Sequence, residues 1–161
     1  MSESDPREVG RIIALRLLEA KPRTEEELRQ KLCERGIPDE VAAELVARYV
    51  EVGLLDDRAY ARMWVESRMR SRGLGATALR QELRKHKVPD ALIDEALAEL
   101  DPEDGVMAAV ECVRSRVARC ELPLSQKDER RLVNFLMRRG HRLETARRAL
   151  QEAVDDVEAA S

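Results

Sequence analysis

Leu28-Arg29-Gln30-Lys31-Leu32, followed by Gly36-Ile37-Pro38-Asp39, returns further along the chain as Leu79-Arg80-Gln81-Glu82-Leu83, followed by Lys87-Val88-Pro89-Asp90. A weaker third copy is Leu132-Val133-Asn134-Phe135-Leu136, followed by Gly140-His141-Arg142. In each copy two leucines four apart share one helix face. A tight turn follows, and then another amphipathic segment. A helix–turn–helix of this size cannot bury its apolar stripe alone, so a third helix must close it into a small bundle. The spacing therefore predicts an all-α fold, an elongated tandem array of three three-helix repeats at 8–53, 54–101 and 102–157.

Working outward from the repeat, apolar residues keep helical spacing through the rest of the chain. Ile13 and Leu17, then Val41, Leu45 and Tyr49, form stripes four apart. Leu92, Ala96 and Leu100 form another, and Val106, Val110, Val113, Val117 and Cys120 a longer one. Ala146, Ala149, Leu150, Ala153 and Val154 give the last. The pattern predicts nine helices, at about 8–20, 24–35, 38–52, 56–72, 76–86, 89–100, 102–120, 126–139 and 143–157. Thr24 and Glu27 have capping-box spacing. Asp101-Pro102 reads as an N-cap before a first-turn proline. Gly36, Gly53, Gly73 and Gly140 stand where helices should stop.

Composition agrees with helices and argues against a sheet. Aromatic residues are only 2% and charged residues 38%, whereas strands favour aromatic and β-branched side chains. Hydrophobic residues at 43% are too many for a disordered chain. No apolar run is long enough to cross a membrane. The polar, acidic start MSESDPREVG is not expected to be a secretory signal. Three widely spaced cysteines, Cys33, Cys112 and Cys120, point to a reducing cytoplasm rather than a disulfide framework.

A second motif lies between the first two copies. Gly53-Leu54-Leu55-Asp56-Asp57-Arg58-Ala59-Tyr60-Ala61, then Val65-Glu66-Ser67-Arg68, resembles the signature of the RecX family. Gly73-Leu74-Gly75 through Leu79, Glu82-Leu83 and Lys87-Val88 are similar to the family too. So are Ala14-Leu15-Arg16-Leu17-Leu18 and Arg138-Arg139-Gly140. The ordered set covers about residues 11–155. At His141 the family more often carries a bulky aromatic or aliphatic residue. The resemblance implies tandem three-helix repeats that bind in the groove of the RecA–DNA filament. It implies suppression of RecA ATP hydrolysis, filament extension and strand exchange, weak DNA binding and no catalytic centre.

Charge is distributed to suit such a role. The net charge is −3, yet Arg58, Arg62, Arg68, Arg70, Arg72, Arg80, Arg84, Lys85 and Lys87, opposed by Glu66 and Glu82, make the middle of the chain basic. An acidic block from Asp90 to Glu111 follows. Arg114, Arg116, Arg119, Lys127, Arg130, Arg131, Arg138, Arg139, Arg142, Arg147 and Arg148 then form a second basic stretch. Arginine donates two parallel bonds to phosphate or carboxylate. The candidate filament or DNA contacts are Arg68, Arg70, Arg72, Arg80, Arg84, Lys85, Lys87, Arg130, Arg131, Arg138, Arg139, Arg147 and Arg148. Solvated helix faces with i,i+4 pairs are the plainer account of the same residues.

Two other classes stay open. A DNA reader would set a recognition helix in the major groove, but the segment at 89–100 carries Asp90, Asp94, Glu95 and Glu99, which repel phosphate. A helical adaptor for another protein would need neither DNA nor a recombinase. Enzymatic chemistry has little support. His86 and His141 stand apart from other ligand residues and read as surface histidines, and no metal or cofactor is expected. Asp56-Asp57 reads as a helix cap. Tyr49, Tyr60, Trp64, Phe135 and Cys120 read as packing residues. A monomer is expected.

Overall fold

A computed structural model describes residues 4–161, which form nine α-helices and no strand among them. They are α1 (Pro6–Ala20), α2 (Glu25–Glu34), α3 (Asp39–Glu51), α4 (Asp57–Arg72), α5 (Ala76–Lys85), α6 (Asp90–Ala98), α7 (Pro102–Ala118), α8 (Gln126–Arg138) and α9 (Leu143–Ala160). Each expected helix is present. The largest departure is at α9, which continues to Ala160. Its last turns carry Val154 and Val157 against the core.

The repeat is visible in the backbone as well as in the side chains. Leu28, Leu32, Leu79, Leu83 and Leu136 are fully buried, and Leu132 is 1% exposed. Each copy ends its first helix with the same pair of bonds. The Ile37, Val88 and His141 N–H groups donate to the carbonyls of Leu32, Leu83 and Leu136 at 3.0, 3.1 and 3.1 Å. The Gly36, Lys87 and Gly140 N–H groups donate to Cys33, Arg84 and Met137 at 3.0 Å. This is the Schellman closure, which needs one residue in the left-handed region. Gly36 and Gly140 fill that place with φ of 88° and 94°, and Lys87 does so with φ of 66°.

The described residues divide into two compact units, the first up to Met63 with Leu83–Ile93, the second Trp64–Glu82 with Asp94–Ser161. In the first unit, Ala14, Leu17, Leu28, Leu32, Ala42, Leu45, Tyr49 and Leu55 make one apolar core. The expected capping box forms at Thr24, whose Oγ1 accepts from the Glu27 N–H at 3.3 Å. Thr24 is wholly buried, and its hydroxyl also donates to the His86 carbonyl at 2.6 Å. His86 is half-buried rather than a surface residue, with Nδ1 3.1 Å from Glu27 Oε2. A buried polar group needs such partners, since one left unpaired costs about 1–3 kcal/mol.

The Asp56-Asp57 pair splits its work. Asp56 caps α4, accepting from the Ala59 N–H at 3.0 Å. Asp57 is 4% exposed and reaches across the unit to accept from the Glu25 N–H at the start of α2, at 3.0 Å. The Glu25 and Asp57 carboxyls face each other. Burial, then the charge of Asp57, pushes Glu25 above its ordinary range. Burial is also the main cause for Asp57, opposed by its bond from the Glu25 backbone. Acids raised on folding add stability below about pH 4, their unfolded range, and lose it as pH rises through the folded values. Glu25→Gln keeps a donor for Asp57 at every pH. We expect it to raise stability at pH 7 by up to about 1 kcal/mol, one net hydrogen bond, and to bring no gain near pH 4. Urea midpoints at the two pH values check this, and equal shifts at both would contradict it.

In the second unit, α7, α8 and α9 enclose Val106, Val110, Val113, Val117, Leu132, Leu136, Ala149 and Leu150. Asp101 caps α7, accepting from the Glu103 N–H at 3.0 Å, with Pro102 in the first turn. Ser125 caps α8. The turn between α8 and α9 locks against the segment joining α4 to α5. Gly75 N–H donates to the Arg139 carbonyl at 2.9 Å, and Thr77 N–H to the Gly140 carbonyl at 3.3 Å. His141, expected at the surface, is 5% exposed, with Nε2 2.7 Å from the Gly73 carbonyl. The residue after a left-handed cap turns inward, as Ile37 and Val88 also do. Burial pushes the His141 imidazole below its ordinary range, so the neutral ring donates from Nε2.

Candidate interaction surface

The basic residues singled out by sequence fall into two groups. One is held by carboxylates of the protein itself. Arg68 Nε lies 3.8 Å from Glu82 Oε2, and its guanidinium sits over the Trp64 ring at 4.4 Å. Arg80 pairs with Asp94, and Arg84 with Asp90 at 3.0 Å. Arg131 pairs with Asp128 at 3.3 Å. Arg148 is held by Glu103 at 2.8 Å and Glu152 at 3.4 Å. Such exposed or half-exposed pairs add little to stability, because water and salt screen them. Their larger effect is to cancel local positive charge.

The other group is exposed and makes no ion pair among the described residues. It comprises Arg70, Arg72, Lys85, Lys87, Arg130, Arg138 and Arg147. The fold gathers part of it on α8. Leu132, Val133 and Leu136 take the inner face of that helix into the core. The outer face then presents Lys127, Arg130, Asn134 and Arg138, which line a shallow groove together with Gln126 and Arg131. On the neighbouring edge, Arg130 and Arg147 border exposed Met137 and Leu143.

Arg139 has a different task. Its Nη1 donates to the Arg72 carbonyl at 2.8 Å, and its guanidinium lies 5.3 Å from the centre of the Phe135 ring. Arg116 of α7 lies over the same ring at 4.0 Å. Phe135 is thus a packing residue, half-buried under two cations. Lys127 belongs to this surface but stood outside the candidate set drawn from sequence. The signal for Lys127 was legible, since 127, 130, 134 and 138 follow helical spacing.

Chemistry elsewhere is sparse. Among the described residues no cluster of three or more His, Cys, Asp or Glu could hold a metal ion. Burial pushes the Cys112 thiol up, away from the reactive thiolate. No described helix is long and apolar enough to cross a membrane.

Tandem helix–turn–helix units with an open, cation-lined helix face define an all-α helical-repeat protein. Residues 11–48 and 56–97 match the RecX first and second three-helix domains. A regulatory protein RecX of Streptomyces coelicolor is 42% identical over 158 residues, covering 96% of this chain and 84% of the relative. One from Mycolicibacterium smegmatis is 42% identical over 144 residues, covering 85% and 77%. The chain belongs to the RecX family. The fold agrees. A crystal structure of RecX from Lactobacillus salivarius superposes with a TM-score of 0.82 at 21% identity, covering 94% of this chain and 97% of that one.

Proposed function

We propose that this protein binds the RecA–DNA filament and restrains RecA, slowing ATP turnover, filament extension and strand exchange without catalysing a reaction itself. The observation that carries the reading is family membership, with 42% identity over nearly the whole chain to proteins named for regulation. Three repeats, at 8–53, 54–101 and 102–157, would let one cytoplasmic monomer touch more than one RecA protomer. The second contact is then intramolecular, so modest surfaces suffice. Arg70 and Arg72, the α8 face and Arg147 are the proposed contacts, because they carry charge that the fold leaves unpaired. Arg68, Arg80, Arg84, Arg131 and Arg148 move to supporting roles.

The test is RecA ATPase on single-stranded DNA with the protein titrated in, alongside sedimentation with filaments and with bare DNA. Turnover should fall as the protein approaches equimolar amounts, and filaments should retain it better than bare DNA does. Unchanged turnover at equimolar protein would overturn the reading. Equal retention by bare DNA would favour a plain DNA-binding protein.

A further inference from the structure

We infer that the outer face of α8, from Lys127 through Arg130 and Asn134 to Arg138, is a track for the phosphate backbone of a nucleic-acid strand. The inference deepens the reading above by naming which surface meets nucleic acid, and it rests on that reading only for where the strand is met. Three observations carry it. Lys127, Arg130 and Arg138 make no ion pair among the described residues, and no carboxylate lines their groove, Glu129 lying in the adjoining depression with Arg130. The uncharged residues lining the groove with them are amides, Gln126 and Asn134, and amide, Arg and Lys side chains are the ones that contact phosphate and sugar. The track is also long. Lys127 to Arg138 spans about 16 Å of helix, enough to meet more than one phosphate of a strand.

The same observations disfavour an acidic peptide. Protein contacts are anchored by aromatic or apolar side chains in desolvated pockets. The exposed Met137 of α8 and Leu143 of α9 share an open depression with Gln126, Arg130, Asn134 and Arg147, which is not a desolvated anchor pocket. Phe135, the aromatic closest to the track, is covered by the Arg116 and Arg139 guanidiniums. It offers no open face for base stacking, so binding follows the backbone and ignores sequence.

The experiment is fluorescence anisotropy of the full chain, without RecA, on a labelled thymidine homopolymer and on a mixed-sequence strand of equal length, across a salt series. Wild type should bind both strands alike. Lys127→Gln/Arg130→Gln/Arg138→Gln should weaken binding about tenfold or more and flatten the salt dependence by about 2, at roughly 0.7 per lost phosphate contact. Arg80→Gln/Arg84→Gln/Arg148→Gln removes as much charge from carboxylate-held positions and should change affinity less than about twofold. Thermal melting verifies that both triple variants are folded. The inference is overturned if wild type does not bind, if the α8 variant keeps its affinity, or if both triple variants lose equally. It also falls if polyglutamate displaces the strand as well as an unlabelled strand does. RecA turnover measured on the same proteins keeps the two claims apart, because a wild type that leaves RecA unaffected while binding DNA sinks only the proposed function.

Discussion

Gly75→Ala is expected to cost roughly 3 kcal/mol and to lower the thermal midpoint by about 6–12 °C, at roughly 2–4 °C per kcal/mol for a chain of this length. A Cβ on Gly75 would stand 2.5 Å from the Gly140 carbonyl carbon and oxygen and 2.6 Å from the His141 nitrogen. These are backbone atoms and cannot rotate aside, so the two segments must part. Overpacking of this kind costs about 1–3 kcal/mol. Parting also strains the bonds from Gly75 N–H to Arg139 and from Thr77 N–H to Gly140, each worth about 1 kcal/mol. Gly140→Ala strikes the same crossing from the other side, with its Cβ 2.5 Å from the Ala78 nitrogen and φ at +94°. The double variant should therefore cost less than the two singles together, by about 1 kcal/mol, because the first substitution has already opened the contact. Gly105→Ala is the control. It lies inside α7 with nothing within 4 Å of the added carbon, so it should stabilise by about 0.5–1 kcal/mol. Urea unfolding of the four variants beside wild type decides the matter. A Gly75→Ala protein as stable as wild type would mean the crossing is not a tight contact in solution.

The repeat was readable because each of its signals is local. Leucines four apart, a turn residue at a set distance and an acidic or hydroxyl cap all act within one helical turn, so helices and their ends follow from neighbours in sequence. The interaction surface was readable only in part. Whether an arginine is available depends on carboxylates brought to it by the fold. Arg148 meets Glu103 from 45 residues away, and Arg80 meets Asp94 across 14. No window on the sequence reports those pairs, and a basic run looks the same with or without them. His141 illustrates the same limit. Its place in the third copy matched Ile37 and Val88, which argued for burial, while its polarity argued for the surface. The Gly73 carbonyl decides between them, because a hydrogen bond removes most of the cost of burying the ring. Asp57 repeats the lesson, since the backbone N–H that it caps belongs to α2 rather than to its own helix.

Leu136→Ala is expected to cost about 3–4 kcal/mol, within the range for a buried leucine cut to alanine. Leu136 is fully buried among the core residues of the second unit. Its carbonyl accepts from both Arg139 and His141 at 3.1 Å, so the residue anchors the α8–α9 turn as well as the core. Leu136→Met conserves volume and should cost less than about 1.5 kcal/mol. The value of the comparison lies in what it does to binding. The inner face of α8 supplies stability, and the outer face supplies charge, so damage to each should leave a different trace. At low temperature Leu136→Ala should remain helical by circular dichroism and bind a single strand as wild type does. On warming it should lose helicity and binding together, at a lower temperature than wild type. The Lys127→Gln/Arg130→Gln/Arg138→Gln protein should melt like wild type yet bind poorly at every temperature, because its fold is intact and only the phosphate contacts are gone. If Leu136→Ala lost binding while its helicity persisted, the strand would depend on the packing of this unit rather than on the stripe alone, and the division of labour between the two faces of α8 would have to be abandoned.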